Sequence, residues 1–398
     1  MNKKFSNIIF IGSLVILILL IGINTANNFK NIKINNIYGN RSEIGDVDIS
    51  VTRRIGSFFV RNYKVGADSV SSETKFIDET YSELPLYGNK DVLRGVYTNT
   101  SNSYHGDDYL AVVDILDYDK GKMNLILKNK KTGEIKEAKV KNPYGRRILG
   151  VYGENNKIKI LMPENDYDNS SPIIVMEYNF ETKDFKKIAS HGVYSEKMGL
   201  EYRDGANYYI GKMSMTYDEN KGVEEGKNFT IYKANLKENT FKDYDVRKIL
   251  EENQIDLKGK SLESLECDGN LIYVTIAEAP NFEEIFKDEK KMAEYEYGIS
   301  EEPRVYSVAT INVNDLKVNY YKDIINEKEI EGYLKGHFKN EIAYPLNLRV
   351  LGDKLYFVPY GIESDLVVVG VADLKSEKLV YLGEMNNVVM NGFYENKK

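Results

Sequence analysis

The feature that most constrains the fold of this chain is a short pattern that recurs along it. A turn made of Gly, Asp or Asn residues leads at once into an apolar strand, most clearly at residues 267–274 (CDGNLIYV). Similar stretches occur at 106–112 (GDDYLAV), 155–161 (NNKIKIL), 204–210 (DGANYYI) and 352–358 (GDKLYFV). Gly, Asn and Asp tolerate the positive φ angles of tight turns. The pattern therefore predicts a turn that feeds a strand, repeated several times.

A second pattern accompanies the first. Two apolar positions lie five residues apart with polar residues between them, which predicts an alternating strand, a polar turn and a returning strand. Its copies begin at Asn129, Asn179, Asn235, Asn312 and Asp373, the first copy being degenerate because Lys130 replaces the leading apolar residue. Counted from the second residue of each copy (130, 180, 236, 313 and 374), the spacings are 50, 56, 77 and 61 residues.

A turn, a strand and then a hairpin at a period near 50 residues resembles the β-propeller superfamily. The likeness is to divergent propellers with a "DG-x-L-Y-V … V-x-x-x-D-x-x-T-G-x" blade, such as the quinoprotein-like bacterial exported propellers. It covers residues 92–385 directly and 45–91 by inference. It implies an all-β propeller of about six four-stranded blades, five to seven being compatible. No cofactor is implied, because no residue of this chain matches the quinoprotein cofactor contacts.

A repeated unit is also expected on physical grounds. A single unit of this kind cannot bury both faces of its sheet, and neighbouring units can cover them. Residues 49–65 (ISVTRRIGSFFVRNYKV) predict a further strand pair, and a late strand around 388–390 is expected to close the ring against this N-terminal blade. Two stacked β-domains are the competing architecture.

The N-terminus carries a different signal. Residues 8–23 (IIFIGSLVILILLIGI) form an uncharged apolar run that follows Lys3 and Lys4. The run is somewhat shorter than the ~20 residues that span a bilayer comfortably, but Phe5, Thr25 and Ala26 extend it. We interpret residues 1–26 as one uncleaved transmembrane helix, 27–44 as a polar linker and 45–398 as the propeller domain. A cleaved signal peptide and a buried core helix are the alternatives.

Net charge and composition limit the classes of partner that this chain is expected to bind. The formal net charge is −7 and no basic cluster interleaves with aromatic residues, which argues against nucleic-acid binding. We expect the large domain to be extracytoplasmic and to recognise a protein or cell-envelope ligand, with the membrane contacted through residues 8–23. The single cysteine, Cys267, excludes an intramolecular disulfide and a multi-cysteine metal site. Because Cys267 lies where a strand is predicted to begin, its small side chain is expected to pack in the apolar core.

Candidate binding residues lie in an insertion at 281–303 (NFEEIFKDEKKMAEYEYGISEEP), where the apolar side chains have roughly helical spacing. They are Phe282, Ile285, Phe286, Met292, Tyr295 and Tyr297. Two other stretches, 247–255 and 324–338, are also predicted to be helical. No catalytic, metal-binding or cofactor-binding residues are predicted, because no nucleophile elbow, P-loop, zinc motif or complete calcium loop is present.

These features favour a membrane-anchored binding or interaction module, acting as a sensor or accessory subunit, rather than an enzyme. The alternative is a propeller-type enzyme, glycosidase-like or lyase-like, acting on an envelope polysaccharide or peptide. Such enzymes use Asp, Glu, Tyr and His residues that converge at the funnel, and one sequence does not say which residues converge.

Overall fold

The computed structural model describes residues 32, 34–55, 59–76, 92, 101–144, 147–165, 171–192, 201–218, 223–268, 270–279, 304–334, 343–360 and 366–396. Across these ranges none of the helices combines the length and the apolar character needed to cross a bilayer. The predicted anchor, residues 1–26, and the insertion at 281–303 lie outside them, together with its six candidate residues Phe282, Ile285, Phe286, Met292, Tyr295 and Tyr297.

Most of the described residues lie in strands. The first elements are β1 (Ile34–Gly39), a 3-10 helix (Arg41–Ile44), β2 (Val47–Ile55), β3 (Phe59–Val65) and β4 (Val70–Phe76). Next come β5 (Ser103–His105), β6 (Tyr109–Asp117), β7 (Lys122–Asn129) and β8 (Ile135–Lys141), then β9 (Gly150–Glu154), β10 (Lys157–Pro163), β11 (Ile173–Asn179) and β12 (Phe185–His191).

The second half repeats this arrangement with two helices added. It contains β13 (Glu201–Asp204), β14 (Asn207–Asp218), β15 (Val223–Asn235), β16 (Thr240–Asp245), α1 (Val246–Glu252), β17 (Lys260–Asp268), β18 (Leu271–Glu278), β19 (Val305–Asn312), β20 (Val318–Asn326) and α2 (Glu327–Leu334). The last strands are β21 (Ala343–Leu351), β22 (Lys354–Tyr360), β23 (Leu366–Asp373), β24 (Lys378–Asn386) and β25 (Val389–Glu395). α2 falls within the predicted helical stretch 324–338, and α1 overlaps the predicted stretch 247–255 but begins one residue before it.

The strands form six antiparallel sheets, which we number I to VI. Their strand orders are β25-β2-β3-β4 (I), β5-β6-β7-β8 (II), β9-β10-β11-β12 (III), β13-β14-β15-β16 (IV), β17-β18-β19-β20 (V) and β21-β22-β23-β24-β1 (VI). Five of these sheets contain four consecutive strands, and sheet I combines β2, β3 and β4 with β25; this arrangement confirms the all-β, propeller-like prediction. The predicted strand pair within residues 49–65 is β2 with β3, and the predicted late strand is β25, which pairs with β2. The fifth strand of sheet VI, β1, was not predicted and lies in the segment interpreted as a linker.

The chain divides into two compact units. The first comprises Met1–Thr80, Ile362–Val369 and Tyr381–Lys398, and the second comprises Tyr81–Gly361 and Gly370–Val380. Within the first unit, β1 pairs with β24, and two side-chain hydrogen bonds reinforce the pairing. Asn35 donates to Glu384 at 2.6 Å and the Tyr381 hydroxyl donates to Asn36 at 3.1 Å.

The two sequence patterns meet in the second unit. In each of sheets II to VI, a backbone N–H of the hairpin turn donates to a carbonyl of the turn that precedes the second strand. The five pairs are Lys130 to Asp108, Phe180 to Asn156, Leu236 to Ala206, Val313 to Asn270 and Leu374 to Asp353, all at 2.8–2.9 Å. The hairpin turns are themselves held by side chains; for example, Asn179 Oδ1 accepts from the N–H of Glu181 at 2.8 Å. The two patterns therefore recur together because they bond to each other.

Burial follows position in the sheet. Middle strands such as β11 and β19 are buried along almost their whole length, whereas the outer strand β8 alternates between partly buried and exposed residues. A strand covered on both faces needs a continuous apolar run, while an outer strand can alternate. In the second unit, neighbouring sheets supply that cover: sheets II and III, III and IV, and IV and V share apolar cores.

Candidate functional site

The candidate site lies at one end of sheet V. Because the strands are antiparallel, β17 begins there, β18 ends there, β19 begins there and β20 ends there. Arg304 immediately precedes β19, and Glu327 is the first residue of α2 after β20. The neighbouring strand β15 of sheet IV contributes Lys227. This topology brings together side chains that are far apart in sequence.

A β-bulge sets the position of Glu263. Leu262 pairs with Ile276 and Ser264 pairs with Thr275, so Glu263 is an extra residue with no partner in the ladder. Bulges redirect side chains and are frequent beside active sites. Here the bulge turns Glu263 toward Arg304, which immediately precedes β19, and Lys227, which lies on β15.

Glu263 is a buried carboxylate held by two cations. Its side chain is 1% exposed, and its oxygens lie 2.8 Å from Nη2 of Arg304 and 3.2 Å from Nζ of Lys227. Burial alone would raise its pKa, but the charge and hydrogen bond of Arg304, with the charge of Lys227, outweigh burial and hold the pKa below its ordinary value. Glu263 is therefore kept ionised.

Glu327 has the opposite environment. The residue is 5% exposed, and its Oε2 accepts the backbone N–H of Arg304 at 2.6 Å, while its own N–H donates to the Arg304 carbonyl at 2.9 Å. The hydroxyl of Tyr306 also bonds to this carboxyl group. Burial raises the pKa of Glu327 and outweighs both hydrogen bonds. Burial likewise raises the pKa of Tyr306, so that its hydroxyl stays protonated.

Arg304 joins the two carboxyl groups, since its guanidinium binds Glu263 and its backbone binds Glu327. The two environments push the pKa values of the two groups in opposite directions. Such a pair of carboxyl groups can divide the work of acid–base chemistry, one holding a proton to donate and the other remaining ionised to stabilise positive charge. This is the chemistry that the arrangement can support.

Other perturbed or reactive groups have structural partners. Glu266, on β17, accepts the backbone N–H groups of Asn347 and Leu348 at 2.8 Å each, and burial raises its pKa. It thereby ties sheet V to β21. His191 lies 2.6 Å from Asp243 and stacks on Phe241, which links sheets III and IV. Within the described ranges no group of three or more His, Cys, Asp or Glu side chains could hold a metal ion.

Of the residues considered from the sequence, Cys267 packs against the core shared by sheets IV and V, as expected of a small apolar side chain. The residues of the candidate site were not predicted. One signal was present: Leu262 and Leu265, which enter the same core, are spaced by three rather than two residues, so the alternation breaks around Glu263. The spacing shows a bulge, but it does not reveal which cations Glu263 meets.

No protein family model matches this chain, and no curated protein matches it. Among solved structures, it is similar to a lignostilbene dioxygenase of Pseudomonas brassicacearum (7% identity, TM-score 0.38) and to a variant of the apocarotenoid oxygenase of Synechocystis (7%, 0.36), in each case over 89% of this chain and 91% of the other. It is also similar to a variant of the GH32 β-fructofuranosidase of Bombyx mori (11%, 0.29), over 57% and 46%.

These three proteins are enzymes, and this finding corrects the expectation of a binding or interaction module rather than an enzyme. We do not retain that expectation. At such identities and TM-scores the likeness carries no substrate, cofactor or residue over to this chain. The chemistry of this chain is therefore inferred from the side chains of the candidate site.

Proposed function

We propose that this chain is an enzyme that cleaves a polysaccharide by acid–base catalysis at the end of sheet V. The observation that supports this most directly is the pair Glu263 and Glu327, whose pKa values are driven apart around Arg304. Glycoside hydrolysis needs one carboxyl group that donates a proton and another that remains ionised. The pKa of Glu327 is raised by burial and that of Glu263 is lowered by Arg304 and Lys227, which is the direction of difference that these two roles require.

In the proposed reaction, Glu327 is the general acid. Its proton passes to the glycosidic oxygen as the bond from that oxygen to the anomeric carbon breaks. The ionised Glu263 stabilises the positive charge that develops on the sugar ring. Water then adds to the anomeric carbon and gives its proton to the Glu327 carboxylate, which restores the starting state. The protonated hydroxyl of Tyr306 holds the Glu327 carboxyl group in place through their hydrogen bond.

We also propose that the enzyme works at the cell envelope. The support is the apolar run at residues 8–23 after Lys3 and Lys4, which fits a single membrane anchor with an extracytoplasmic domain. Treatment of intact cells and of lysed cells with an external protease tests the orientation. Degradation of the domain only after lysis would contradict it, and release of a shortened chain into the medium would indicate a cleaved signal instead.

The activity is tested with the full-length chain purified in detergent and incubated with a panel of envelope polysaccharides, new reducing ends being measured. Glu327→Gln keeps the side-chain shape but cannot donate the proton, so we expect kcat/KM to fall by about 10²–10⁴-fold. The alkaline limb of the pH–rate profile, which reports the acid, should disappear in the same variant.

Glu177→Gln is the matched control. Glu177 is also a buried carboxylate paired with a lysine, Lys157 at 3.1 Å, but it lies on sheet III. We expect this variant to retain wild-type activity. Cleavage of no polysaccharide by the wild type, or equal losses in both variants, would refute the proposal. Release of products with an unsaturated, ultraviolet-absorbing end would indicate a lyase, and cleavage of peptides alone would reassign the substrate.

A further inference from the structure

Beside the candidate site is a loosely held ion pair. Lys260 is the first residue of β17 and Glu278 is the last residue of β18, and the two are partners in the ladder. Their charged atoms are 4.0 Å apart, at the limit of an ion pair, and the Glu278 side chain is 81% exposed while that of Lys260 is only 20% exposed. A cation that is largely covered is thus matched by a carboxylate that lies almost entirely in solvent.

This pair adjoins the two carboxyl groups through Arg304. Nη2 of Arg304 donates to the Glu278 carbonyl at 2.6 Å and to Oε1 of Glu263 at 2.8 Å. One guanidinium nitrogen therefore touches both Glu278 and the carboxylate proposed to stabilise charge on the sugar. The backbone of Glu278, which pairs with Lys260 in the ladder, therefore lies next to the guanidinium that binds Glu263.

The backbone of Lys260 is fixed even though its ammonium group is loosely paired. Nη2 of Arg247 donates to the Lys260 carbonyl at 2.8 Å, and the Lys260 N–H donates to the Leu257 carbonyl at 3.1 Å. Arg247 also binds the carbonyl of Leu257 at 3.2 Å. The lysine thus projects from a fixed point, which favours binding of a ligand group at a defined position.

The three cations Lys227, Arg304 and Lys260 differ in how easily their acidic partners could be displaced. Lys227 and Arg304 both contact the buried Glu263, and loss of either contact would remove part of the compensation of that buried charge. Lys260 has Glu278 as its acidic partner within the described residues, and that partner can turn into water at little cost. Lys260 is therefore the cation whose partner a ligand can replace.

We propose that the substrate is an acidic polysaccharide, and that Lys260 binds a carboxylate of its sugar units by displacing Glu278. The inference rests on the proposed function, because it names the class of polysaccharide that the proposed enzyme would cleave. It assigns opposite roles to the two partners: Lys260 attracts the substrate, and Glu278 competes with it.

The test uses the full-length enzyme with polygalacturonate and with neutral galactan. We expect the wild type to prefer the acidic polymer. Lys260→Met should raise KM for that polymer about tenfold with little change in kcat, since one charge-assisted contact is lost. Glu278→Gln removes the competing carboxylate and should lower KM several-fold. Neither variant should change KM for the neutral polymer. Lys248→Met, which breaks the exposed pair with Glu252 on α1, is the control and should change neither.

Opposite shifts in KM for Lys260→Met and Glu278→Gln are a result that a general loss of stability cannot produce. Equal cleavage of both polymers by the wild type, or shifts in the same direction, would overturn the inference while leaving the proposed function standing. If the wild type cleaves neither polymer, calorimetric titration with short galacturonate oligomers tests the carboxylate-binding site independently of catalysis. Binding that Lys260→Met abolishes would support the carboxylate site without catalysis, and absence of binding would refute it.

Discussion

The guanidinium of Arg304 lies 2.8 Å from Oε1 of Glu263, although the two residues are 41 positions apart in sequence. The carboxylate is almost fully buried, and Lys227 approaches its other oxygen at 3.2 Å. A buried charge is costly unless it is paired, and removal of Arg304 would leave Glu263 with Lys227 as its remaining cationic partner. This contact therefore supports the local fold as well as the proposed chemistry.

Arg304→Met should lower the free energy of unfolding by about 3–5 kcal/mol, because Glu263 stays buried with one cation instead of two. Urea denaturation of the full-length chain measures the loss. Lys375→Met, which breaks an ion pair with Asp353 of similar length (2.7 Å) but on the exposed surface, should leave the urea midpoint essentially unchanged. Equal losses of unfolding free energy in the two variants would show that the buried ion pair contributes no more to stability than the exposed one.

Stability should depend on pH in a way that Glu327→Gln removes. Burial raises the pKa of Glu327 above its ordinary value of 4.5, so the folded state binds this proton more tightly than the unfolded state. Wild-type stability therefore falls as pH rises from about 4.5 to the folded pKa, whereas glutamine is neutral throughout. The variant should gain stability relative to the wild type across that window, as measured by urea denaturation at a series of pH values.

Glu263→Gln should show the reverse dependence. The pKa of Glu263 is held below its ordinary value of 4.5, so its contribution is fully present above that pH and is lost as pH falls through the folded pKa. The wild type should therefore be the more stable protein at neutral pH, and the difference should shrink in acid. Parallel curves for the two glutamine variants would contradict the assignment of opposite protonation states.

The hairpin turns offer a test of the repeated pattern. Asn179 Oδ1 accepts the N–H of Glu181 at 2.8 Å and that of Thr182 at 3.3 Å. Asn179→Ala should cost about 0.5–1.5 kcal/mol of unfolding free energy, the usual net value of such a hydrogen bond. Asn179→Asp keeps the acceptor, as Asp373 does in the last copy, and should remain close to the wild type in the same urea experiment. An aspartate variant as unstable as the alanine variant would exclude the side-chain acceptor as the cause.

Alanine substitution at Gly370 and at Gly332 should change the stability of the protein in opposite directions. A Cβ at Gly370 would overlap the ring of Phe357, which is 0% exposed, so Gly370→Ala should destabilise the protein by about 1–3 kcal/mol. A Cβ at Gly332, within α2, would meet no atom within 4 Å, so Gly332→Ala should stabilise it by about 0.5–1 kcal/mol. Thermal denaturation of both variants measures the two signs, and a loss of stability in Gly332→Ala would contradict the geometry given for α2.

The sequence by itself determined the repeating unit. A turn residue such as Gly352 needs only its own backbone freedom, and a hairpin such as that after Asn179 needs only side-chain and backbone groups within a few residues. Because these interactions are local, the order of turn, strand and hairpin can be read from one chain. The same local signals predicted the strand pair within 49–65 and the late strand, and the resemblance that they carry implied about six units, with five to seven compatible.

Tertiary structure alone decided the fifth strand of sheet VI and the candidate site. β1 pairs with β24 through contacts such as Asn35 with Glu384, which are 349 residues apart. Glu263 and Glu327 are two of many glutamates, and although the broken alternation around Glu263 indicates a bulge, no local signal identifies the partners of either residue. Their pKa values diverge because folding removes both from water and brings Arg304 to each in a different way, through its side chain to one and its backbone to the other. Desolvation and long-range charge contacts exist only once the strands are packed.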